Sequence, residues 1–291
     1  MDNRMFKGGM NLIVLVAGLG IGVSNASADL VLGVTNNGVL ISFEASNPSA
    51  ILSGVAISGL QVNEQIRGID IRPATGELFA LGSSSRLYTI NRHTGVAMQV
   101  GIGPFQNMLN GSSFGFDFNP TIDRIRVVSN ADQNLVLNPN DGTSTQVTPL
   151  FYATGDVNEG INPNVVGSAY TNNFAGALTS QLYGIDTGLD VLVRQANSAG
   201  TLETVGSLGV DLTDVVGFDI SGRTGIAYAS VLDVMLSRTT FWSIDLMTGQ
   251  AMSIGEIGGG SLVTAMTVIP TPGGVAIGSI AGLALLRRRR R

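Results

Sequence analysis

A repeat of about fifty residues is the feature that most constrains the fold of this chain. Its copies are IRGIDIRP (66–73), SFGFDFNP (113–120), VVGSAYTN (165–172), VVGFDISG (215–222) and, more weakly, VTAMTVIP (263–270). The equivalent residues Gly68, Gly115, Gly167, Gly217 and Ala265 are separated by 47, 52, 50 and 48 residues. So regular a period indicates a repeat architecture, in which each copy folds as one supersecondary unit.

Each full copy continues with three further candidate strands. After the first copy these are ELFALG (77–82), RLYTIN (86–91) and AMQVG (97–101), and the other copies follow the same order. The turns before the fourth strands carry a glycine where a hairpin loop needs a left-handed residue, at Gly95, Gly142, Gly200 and Gly249. Four strands in about fifty residues are typical of one blade of a β-propeller.

The two ends of the repeat region complement each other. The last copy supplies a first strand, TAMTV (264–268), and no second, third or fourth strand after it. Three such strands stand near the N-terminus instead, as LVLGVT (30–35), GVLISFE (38–44) and SGVAI (53–57). We therefore expect an all-β propeller of five four-stranded blades over residues 29–268, with the N- and C-terminal strands closing one shared blade. A six-bladed ring lacks the strands, and a two-sheet sandwich does not need this period.

Charge and cysteine content exclude several classes of function. Residues 29–286 contain nine arginines, no lysine and twenty acidic residues, a net charge of about −11, so a nucleic-acid partner would be repelled. The chain has no cysteine and a single histidine, His93. Disulfides, thiol chemistry and any multi-histidine metal centre are therefore excluded.

The N-terminus has the pattern of a secretory signal peptide over residues 1–28. Arg4 and Lys7 precede an apolar stretch from Met10 to Val23, and Ala26-Ser27-Ala28 is a small-residue cleavage site. Cleavage there leaves Asp29 as the first mature residue. An uncleaved membrane anchor is the alternative, although the apolar stretch is shorter than the roughly 20 residues of a spanning helix.

The C-terminus, residues 269–291, has three parts. Pro270 and Pro272 precede a run of fourteen small or apolar residues (273–286), and five arginines end the chain. This ending resembles the PEP-CTERM sorting signal of exported bacterial proteins, except that Thr271 stands where that signal usually has Glu. The resemblance implies transient membrane anchoring by this helix and processing by an exosortase-like enzyme. We expect the protein to be exported to the cell envelope or the extracellular space.

A second resemblance covers nearly all of residues 30–268. The segments ELFALGSSSRLYTIN and FGFDFNPTIDRIRVVSNADQNLVLNPNDG resemble an exported bacterial family, the domain of unknown function 4394. The resemblance implies a propeller-like domain whose members often carry sorting tails. It implies no activity and no site residues.

Three aspartates occupy one position in the repeat. Asp70, Asp117 and Asp219 stand two residues after the repeat glycine, where the other copies have Ala169 and Thr267. If the first strands line the axis, the carboxylates converge there and offer oxygen ligands to a hard cation such as Ca²⁺. The alternative, which we favour, is that each aspartate accepts hydrogen bonds from backbone N–H groups of a neighbouring loop.

The segment YATGDVNEGINPN (152–164) is a second candidate metal site. Asp156 and Asn158 lead a series of oxygen-bearing side chains at near-alternate spacing, as in some calcium loops. Its glycine is displaced from the D-x-[DN]-x-[DN]-G pattern and the distal glutamate is missing. An Asn- and Gly-rich surface turn is the alternative.

Other polar residues carry weaker indications. We expect Arg67, Arg72, Arg124 and Arg126 to pair with those aspartates or with loop carboxylates, or else to bind an anionic sugar at one rim. We expect His93 to lie exposed in a turn, without a catalytic triad, and Trp242 to lie in the core.

Two functions remain open from the sequence. The first is a non-enzymatic envelope or matrix protein that binds glycans or other proteins through one face of the ring. The second is a calcium-dependent or carboxylate-based hydrolase that acts on a sugar or lactone at the axis, which requires accessible paired carboxylates. The fold alone does not decide between them.

Overall fold

The structure is a computed structural model that describes residues 29–269, which form five antiparallel sheets arranged as a five-bladed β-propeller. The predicted signal peptide and residues 270–291 of the predicted tail lie outside the described residues. Ile269 ends the last strand, where it pairs with Leu30. Within residues 29–269 no helix is long and apolar enough to cross a bilayer.

The strands are short and follow one another closely along the chain. In chain order they are β1 (Leu30–Thr35), β2 (Val39–Glu44), β3 (Asn47–Ala56), β4 (Ile66–Ile71), β5 (Leu78–Gly82), β6 (Arg86–Ile90), β7 (Ala97–Val100), β8 (Phe114–Asn119), β9 (Arg124–Ser129), β10 (Asn134–Leu137), β11 (Ser144–Gln146), β12 (Phe151–Tyr152), β13 (Val165–Tyr170), β14 (Leu182–Asp186), β15 (Val191–Gln195), β16 (Thr201–Ser207), β17 (Val216–Ile220), β18 (Ala227–Asp233), β19 (Arg238–Ile244), β20 (Ala251–Glu256) and β21 (Val263–Ile269). A 3₁₀ turn at Asn197–Ala199 is the one helical element among the described residues.

The five blades have the strand orders β21-β1-β2-β3, β4-β5-β6-β7, β8-β9-β10-β11, β13-β14-β15-β16 and β17-β18-β19-β20, which we number 1 to 5. The first strands β21, β4, β8, β13 and β17 are innermost and contact one another around the axis. We call the face where these strands begin the upper face, and the face where they end the lower face. This confirms the fold predicted from the repeat.

Blade 4 carries one element that the sequence pattern did not predict. The two-residue strand β12 pairs in parallel with β16 at the outer edge. The chain runs along this edge on its way from blade 3 to the axis, so the extra backbone pairing covers part of an open sheet edge.

Blade 1 closes the ring, as predicted. The C-terminal strand β21 pairs antiparallel with β1, with Leu32 opposite Thr267. The third N-terminal strand is longer than predicted, because β3 covers Asn47–Ala56 and not only residues 53–57. Two register shifts against β2, on either side of Phe43, accommodate the additional residues.

The hydrophobic core is divided among the blade interfaces. Five clusters of buried residues lie between blades 1 and 2, 2 and 3, 3 and 4, 4 and 5, and 5 and 1. Leu32 and Val34 of β1 pack towards blade 2, whereas Val31 packs towards blade 5. Successive strand residues point to opposite faces, so each blade buries apolar side chains on both sides. At the closing interface, Phe43 and Phe241 meet edge to face with ring centroids 5.2 Å apart.

Glycines set how closely the blades approach. The predicted turn glycines Gly95, Gly142, Gly200 and Gly249 all have φ between 72° and 84°, which confirms their left-handed conformation. On the axis, a Cβ built on Gly68 lies 2.5 Å from Cβ of Phe116 on the next first strand. A side chain there would push β4 and β8 apart.

Candidate functional site

An acidic cluster lies on the axis, in the lower half of the first strands. Asp70, Asp117 and Asp219 come from blades 2, 3 and 5 and are each 1% exposed. One carboxylate oxygen from each residue lies within 4.8 Å of the other two. The first strands therefore bring together the three aspartates that the repeat alignment placed at equivalent positions.

Each of these carboxylates accepts a hydrogen bond from the first strand of the next blade around the ring. Phe118 N–H donates to Asp70 Oδ2 at 2.8 Å, and Tyr170 N–H donates to Asp117 Oδ1 at 2.9 Å. The predicted backbone hydrogen bonds are thus present, but their donors lie in the neighbouring strand and not in a loop. The reason is that the first strands are close enough for the side chain of one to reach the backbone of the next.

The same contact closes the ring between blades 5 and 1. Val268 N–H donates to Asp219 Oδ2 at 2.6 Å. Thr267 stands where an aspartate would be in blade 1, and its hydroxyl lies 2.9 Å from both Asp70 and Asp219. A hydroxyl has one proton and donates to one of them at a time. Ala169 offers no such group in blade 4.

Burial strongly disfavours the charged forms of these carboxyls. It raises the pKa of Asp70 and of Asp117 well above the usual value, and the neighbouring carboxylates raise both further. Burial also raises the pKa of Asp219 to about 6, although backbone hydrogen bonds from Val268 and Ile220 oppose the shift. Within residues 29–269 none of the three forms an ion pair with arginine or histidine. Three uncompensated negative charges at this spacing are unfavourable.

One oxygen of the cluster is left over. Oδ2 of Asp117 is buried and has no hydrogen-bond donor among the described residues. When Asp117 carries a proton, its carboxyl donates a hydrogen bond to Asp219. The cluster therefore holds either a shared proton or another positively charged group.

The upper face has a different chemical character. A small axial cavity lies above the acidic cluster, lined by the ring glycines, with about 10 Å³ open to water, which is roughly the space that one water molecule needs. A cavity of about 480 Å³ between blades 1 and 2 and another of about 120 Å³ open beside it. Arg67 lines all three cavities.

The four arginines that we singled out have different surroundings. Arg72 pairs with Asp123 in the next blade, through Nε at 2.8 Å, as predicted for loop carboxylates. Arg124 donates to the carbonyl oxygen of Asp123. Arg126 is buried and bonds to Asn134, Tyr170 and Ser198, so the predicted carboxylate partner is wrong for this residue.

The second predicted metal site does not join the axial cluster. Asp156 accepts hydrogen bonds from Thr204 N–H at 2.6 Å and Thr204 Oγ1 at 2.8 Å, and from Asn158 N–H at 2.9 Å. The Asn158 amide donates to the same threonine. These contacts fasten the 152–164 segment to β16. Calcium binding at Asp156 and Asn158 stays a prediction.

The comparison with protein families decides the identity of the fold unit. The profile described as "Domain of unknown function (DUF4394)" matches residues 39–267, which is most of the chain. The chain belongs to the DUF4394 family. The match covers blades 2 to 5 and, in the closing blade of this DUF4394 protein, β2, β3 and most of β21, whereas β1 precedes it.

Three solved structures similar to this DUF4394 domain share 11% to 16% identity with it. One chain of a nidogen/laminin complex has 12% identity and a TM-score of 0.49, and the match covers 83% of this chain and 98% of that chain. A protein of unknown function from Bacteroides thetaiotaomicron has 11% identity and a TM-score of 0.47, and the match covers 86% of this chain and 68% of that chain. A protein from Lactobacillus plantarum has 16% identity and a TM-score of 0.39, and the match covers 82% of this chain and 71% of that chain. These values carry no argument about function. No curated protein matches this sequence.

Asp29 precedes the DUF4394 match and is a structurally important residue of the propeller that the sequence patterns did not single out. It is 3% exposed, and its carboxylate binds Ser221 at 3.0 Å, Thr224 at 2.7 Å and Tyr228 at 3.2 Å. It also forms an ion pair with Arg223 at 2.9 Å. The residue directly before β1 therefore ties blade 1 to blade 5.

Of the two remaining candidates, His93 has the surroundings that we predicted, whereas Trp242 lies at the edge of the core and not within it. His93 is exposed in the turn before β7, where its N–H donates to the Asn91 side chain. Trp242 is partly buried against the core between blades 4 and 5, and its ring N–H donates to Thr240 at 2.8 Å.

Proposed function

We propose that this chain is an exported, non-enzymatic binding protein of the cell envelope or extracellular matrix, and that its upper face binds a polysaccharide. The observation that carries the proposal is the position of Arg67. Arg67 is exposed and lines three cavities, and no side-chain hydrogen bond or ion pair to it is formed within residues 29–269. An unpaired arginine on an acidic domain is available to a ligand.

The largest of the three cavities suits a sugar. Its volume of about 480 Å³ falls within the roughly 300–1,000 Å³ of small-molecule sites. Amide and hydroxyl side chains line it together with a few apolar ones, and the uncharged polar residues are Thr35, Asn36, Asn37, Ser58, Gln65 and Thr264. Its two charged residues are Glu64 and Arg67. Amides and hydroxyls both donate and accept hydrogen bonds, which matches the hydroxyl groups of a sugar ring.

Net charge favours an uncharged polysaccharide over an acidic one. Residues 29–269 contain nine arginines and twenty acidic residues. The summed field of such a domain repels a polyanion as it approaches. We therefore expect Arg67 to donate hydrogen bonds to sugar oxygens and not to bind carboxylates.

The hydrolase alternative has less support from the geometry. Cleavage of a glycosidic bond needs two carboxyl groups that reach the substrate, about 5–10 Å apart. Asp70, Asp117 and Asp219 are 1% exposed and accept hydrogen bonds from backbone N–H groups. This arrangement supports a role in holding the ring together.

Export is part of the proposal and is compatible with the contacts of Asp29. Cleavage after Ala28 would keep Asp29, whose carboxylate joins blade 1 to blade 5. A cut one residue later would remove these contacts. Expression of the full chain in a bacterial host with N-terminal sequencing of the exported product tests this point, with Asp29 expected as the first residue. Mass spectrometry of the same product shows whether residues 270–291 are removed.

Binding is tested with the fragment 29–269, which contains all five blades and all five inter-blade cores. It is titrated calorimetrically against an uncharged polysaccharide panel, such as dextran and soluble starch, and against alginate as an acidic one. Arg67→Ala should weaken the binding about 10- to 100-fold, the effect of losing a hydrogen bond from a charged group.

Arg92→Ala is the matched control, because Arg92 is equally exposed but follows β6 on the lower face. Its affinity should equal that of the unaltered domain. Equal weakening by both substitutions would show that general charge and not the position of Arg67 is responsible. Absence of binding to every polysaccharide would refute the proposal.

A further inference from the structure

Backbone N–H groups surround the three carboxyls of the acidic cluster, but within residues 29–269 no positively charged side chain pairs with them. Five backbone N–H groups donate to the three aspartates, from Ile71, Phe118, Tyr170, Ile220 and Val268. Hydrogen bonds from N–H groups select the charged form of a carboxyl. A protonated carboxyl needs an acceptor, and the acceptor for Asp117 is another carboxyl of the same cluster, Asp219.

A second observation points into the cluster independently of its charge. Oδ2 of Asp117 is buried in a residue that is 1% exposed, and no donor within the described residues reaches it. A buried acceptor without a partner is unusual in a folded protein and calls for a bound group.

The spacing of the oxygens fits a calcium ion. Calcium binds oxygen ligands at about 2.3–2.6 Å, so ligand oxygens on opposite sides of the ion are up to about 5 Å apart. The three aspartates supply one oxygen each within 4.8 Å of one another. Thr267 Oγ1, 2.9 Å from both Asp70 and Asp219, is a neutral fourth oxygen with lone pairs to spare.

We propose that Asp70, Asp117, Asp219 and Thr267 form an axial site for one dehydrated divalent cation of the calcium type. The ion binds Oδ2 of Asp117, which lacks another partner, and neutralises most of the negative charge. Its ligands come from blades 1, 2, 3 and 5, so it joins the closing blade to three others. Its role is structural, because the carboxylates are shielded from the solvent.

The first experiment is elemental analysis of the fragment 29–269 after exposure to calcium and dialysis against metal-free buffer. We expect about one equivalent of calcium per chain. Removal with EDTA should lower the melting temperature by about 5–10 °C relative to protein with calcium at 100 times its Kd, and calcium should restore it. Magnesium is the competing ion, and it demands a more regular octahedral site.

Two asparagine substitutions locate the ion. Asp117→Asn replaces one carboxylate oxygen with an NH₂ group and removes the negative charge. The remaining oxygen can still accept the hydrogen bond from Tyr170 N–H. This substitution should abolish calcium uptake. Asp156→Asn alters the other candidate metal site and should retain one equivalent. If Asp117→Asn does not fold, the calcium content and EDTA response of the unaltered and Asp156→Asn domains decide the question.

Two results would overturn the axial site. One is an unaltered domain with no bound calcium, magnesium or other divalent ion and no change in melting temperature with EDTA or calcium. The other is loss of the ion in Asp156→Asn, which would place it in the 152–164 segment. Neither result bears on sugar binding at Arg67, which lies on the upper face.

Discussion

The carboxylate of Asp219 accepts a hydrogen bond from the backbone N–H of Val268 at 2.6 Å. This contact joins the innermost strand of blade 5 to the innermost strand of blade 1, which itself pairs with the N-terminal strand. Asp70 makes the same contact from blade 2 to blade 3, and Asp117 makes it from blade 3 to blade 4. The same side-chain contact therefore links neighbouring first strands at three of the five junctions of the ring.

The close approach at Gly68 predicts a steric effect. Gly68→Ala places a Cβ 2.5 Å from Cβ of Phe116, so the first strands must move apart. We expect a loss of about 1–3 kcal/mol in the free energy of unfolding, as for other overpacked cores. Urea unfolding followed by circular dichroism measures it. Gly103→Ala is the control, because a Cβ there meets nothing within 4 Å. Equal stability of the two variants would show that the axis tolerates the wider spacing.

The contacts of Asp29 predict that the first residue after the expected cleavage site stabilises the ring. Asp29→Ala removes a buried carboxylate that binds Ser221, Thr224 and Tyr228 and pairs with Arg223. We expect a loss of about 2–3 kcal/mol, because hydrogen bonds to charged groups contribute more than neutral ones. Thermal and urea unfolding of the fragment 29–269 test this.

Asp211→Ala is the control for that substitution, since Asp211 is exposed and accepts no hydrogen bond within the described residues. It should change the free energy of unfolding by less than about 0.5 kcal/mol. A similar small effect for Asp29→Ala would mean that the closure between blades 5 and 1 depends on the apolar core alone.

The buried hydroxyl of Tyr152 predicts a local effect in blade 4. It donates to Asp186 Oδ2 at 2.6 Å and holds the extra strand β12 against the blade. Tyr152→Phe leaves Asp186 with three backbone N–H donors, from Asn164, Gly188 and Leu189. We therefore expect a loss of about 1.5 kcal/mol and faster amide hydrogen exchange in residues 152–164.

Tyr183→Phe provides the matched comparison for the hydroxyl. Tyr183 is 9% exposed, and its hydroxyl forms no hydrogen bond within the described part of the chain. Its loss should leave both stability and exchange unchanged. Unaltered exchange in residues 152–164 of Tyr152→Phe would show that β12 is held by its backbone pairing with β16.

Burial of Asp219 predicts a pH dependence of the metal-free domain. Its pKa is raised from 3.8 to about 6 in the fold. A carboxyl with a raised pKa contributes most stability below its unfolded value, and that contribution is lost as the pH rises through the folded value. Between about pH 4 and pH 7, the metal-free domain should lose about 2 kcal/mol relative to Asp219→Asn, since each pKa unit is worth about 1.4 kcal/mol and part of the loss occurs below pH 4.

The pH series is measured by urea unfolding in EDTA, with Asp211→Asn as the control that retains the dependence. Asp70 and Asp117 are the titratable groups that face Asp219 across the axis, and both have pKa values raised by burial. In saturating calcium, the free energy of unfolding should change less with pH over the same range. A stability difference between the unaltered domain and Asp219→Asn that is constant from pH 4 to pH 7 contradicts the prediction.

Much of the fold could be predicted because its signals are local and periodic. The repeat glycines mark the first strands, and the glycines at 95, 142, 200 and 249 mark the last turn of each blade. The incomplete fifth copy and the three N-terminal strands predict the closure that β1 and β21 form. The extra strand β12 and the full length of β3 were missed, since a two-residue parallel pairing and bulges leave no periodic signal.

The site was predictable only in part. The repeat alignment placed Asp70, Asp117 and Asp219 at one level of the axis, where the structure also places them. It did not show that the amide donors come from the next first strand, or that Oδ2 of Asp117 is left without a partner. The amide and hydroxyl partners of Arg126 were likewise not predictable, nor was the finding that no group within residues 29–269 pairs with the Arg67 side chain.

The sequence by itself determined the number of blades, their strand order and the way the ring closes, because these follow from a period and from alternation along the chain. Only the tertiary structure decided which groups meet. Asp29 and Ser221 are 192 residues apart in the chain and 3.0 Å apart in space. Such contacts depend on the distance and angle between blades, which the packing of all five interfaces sets together.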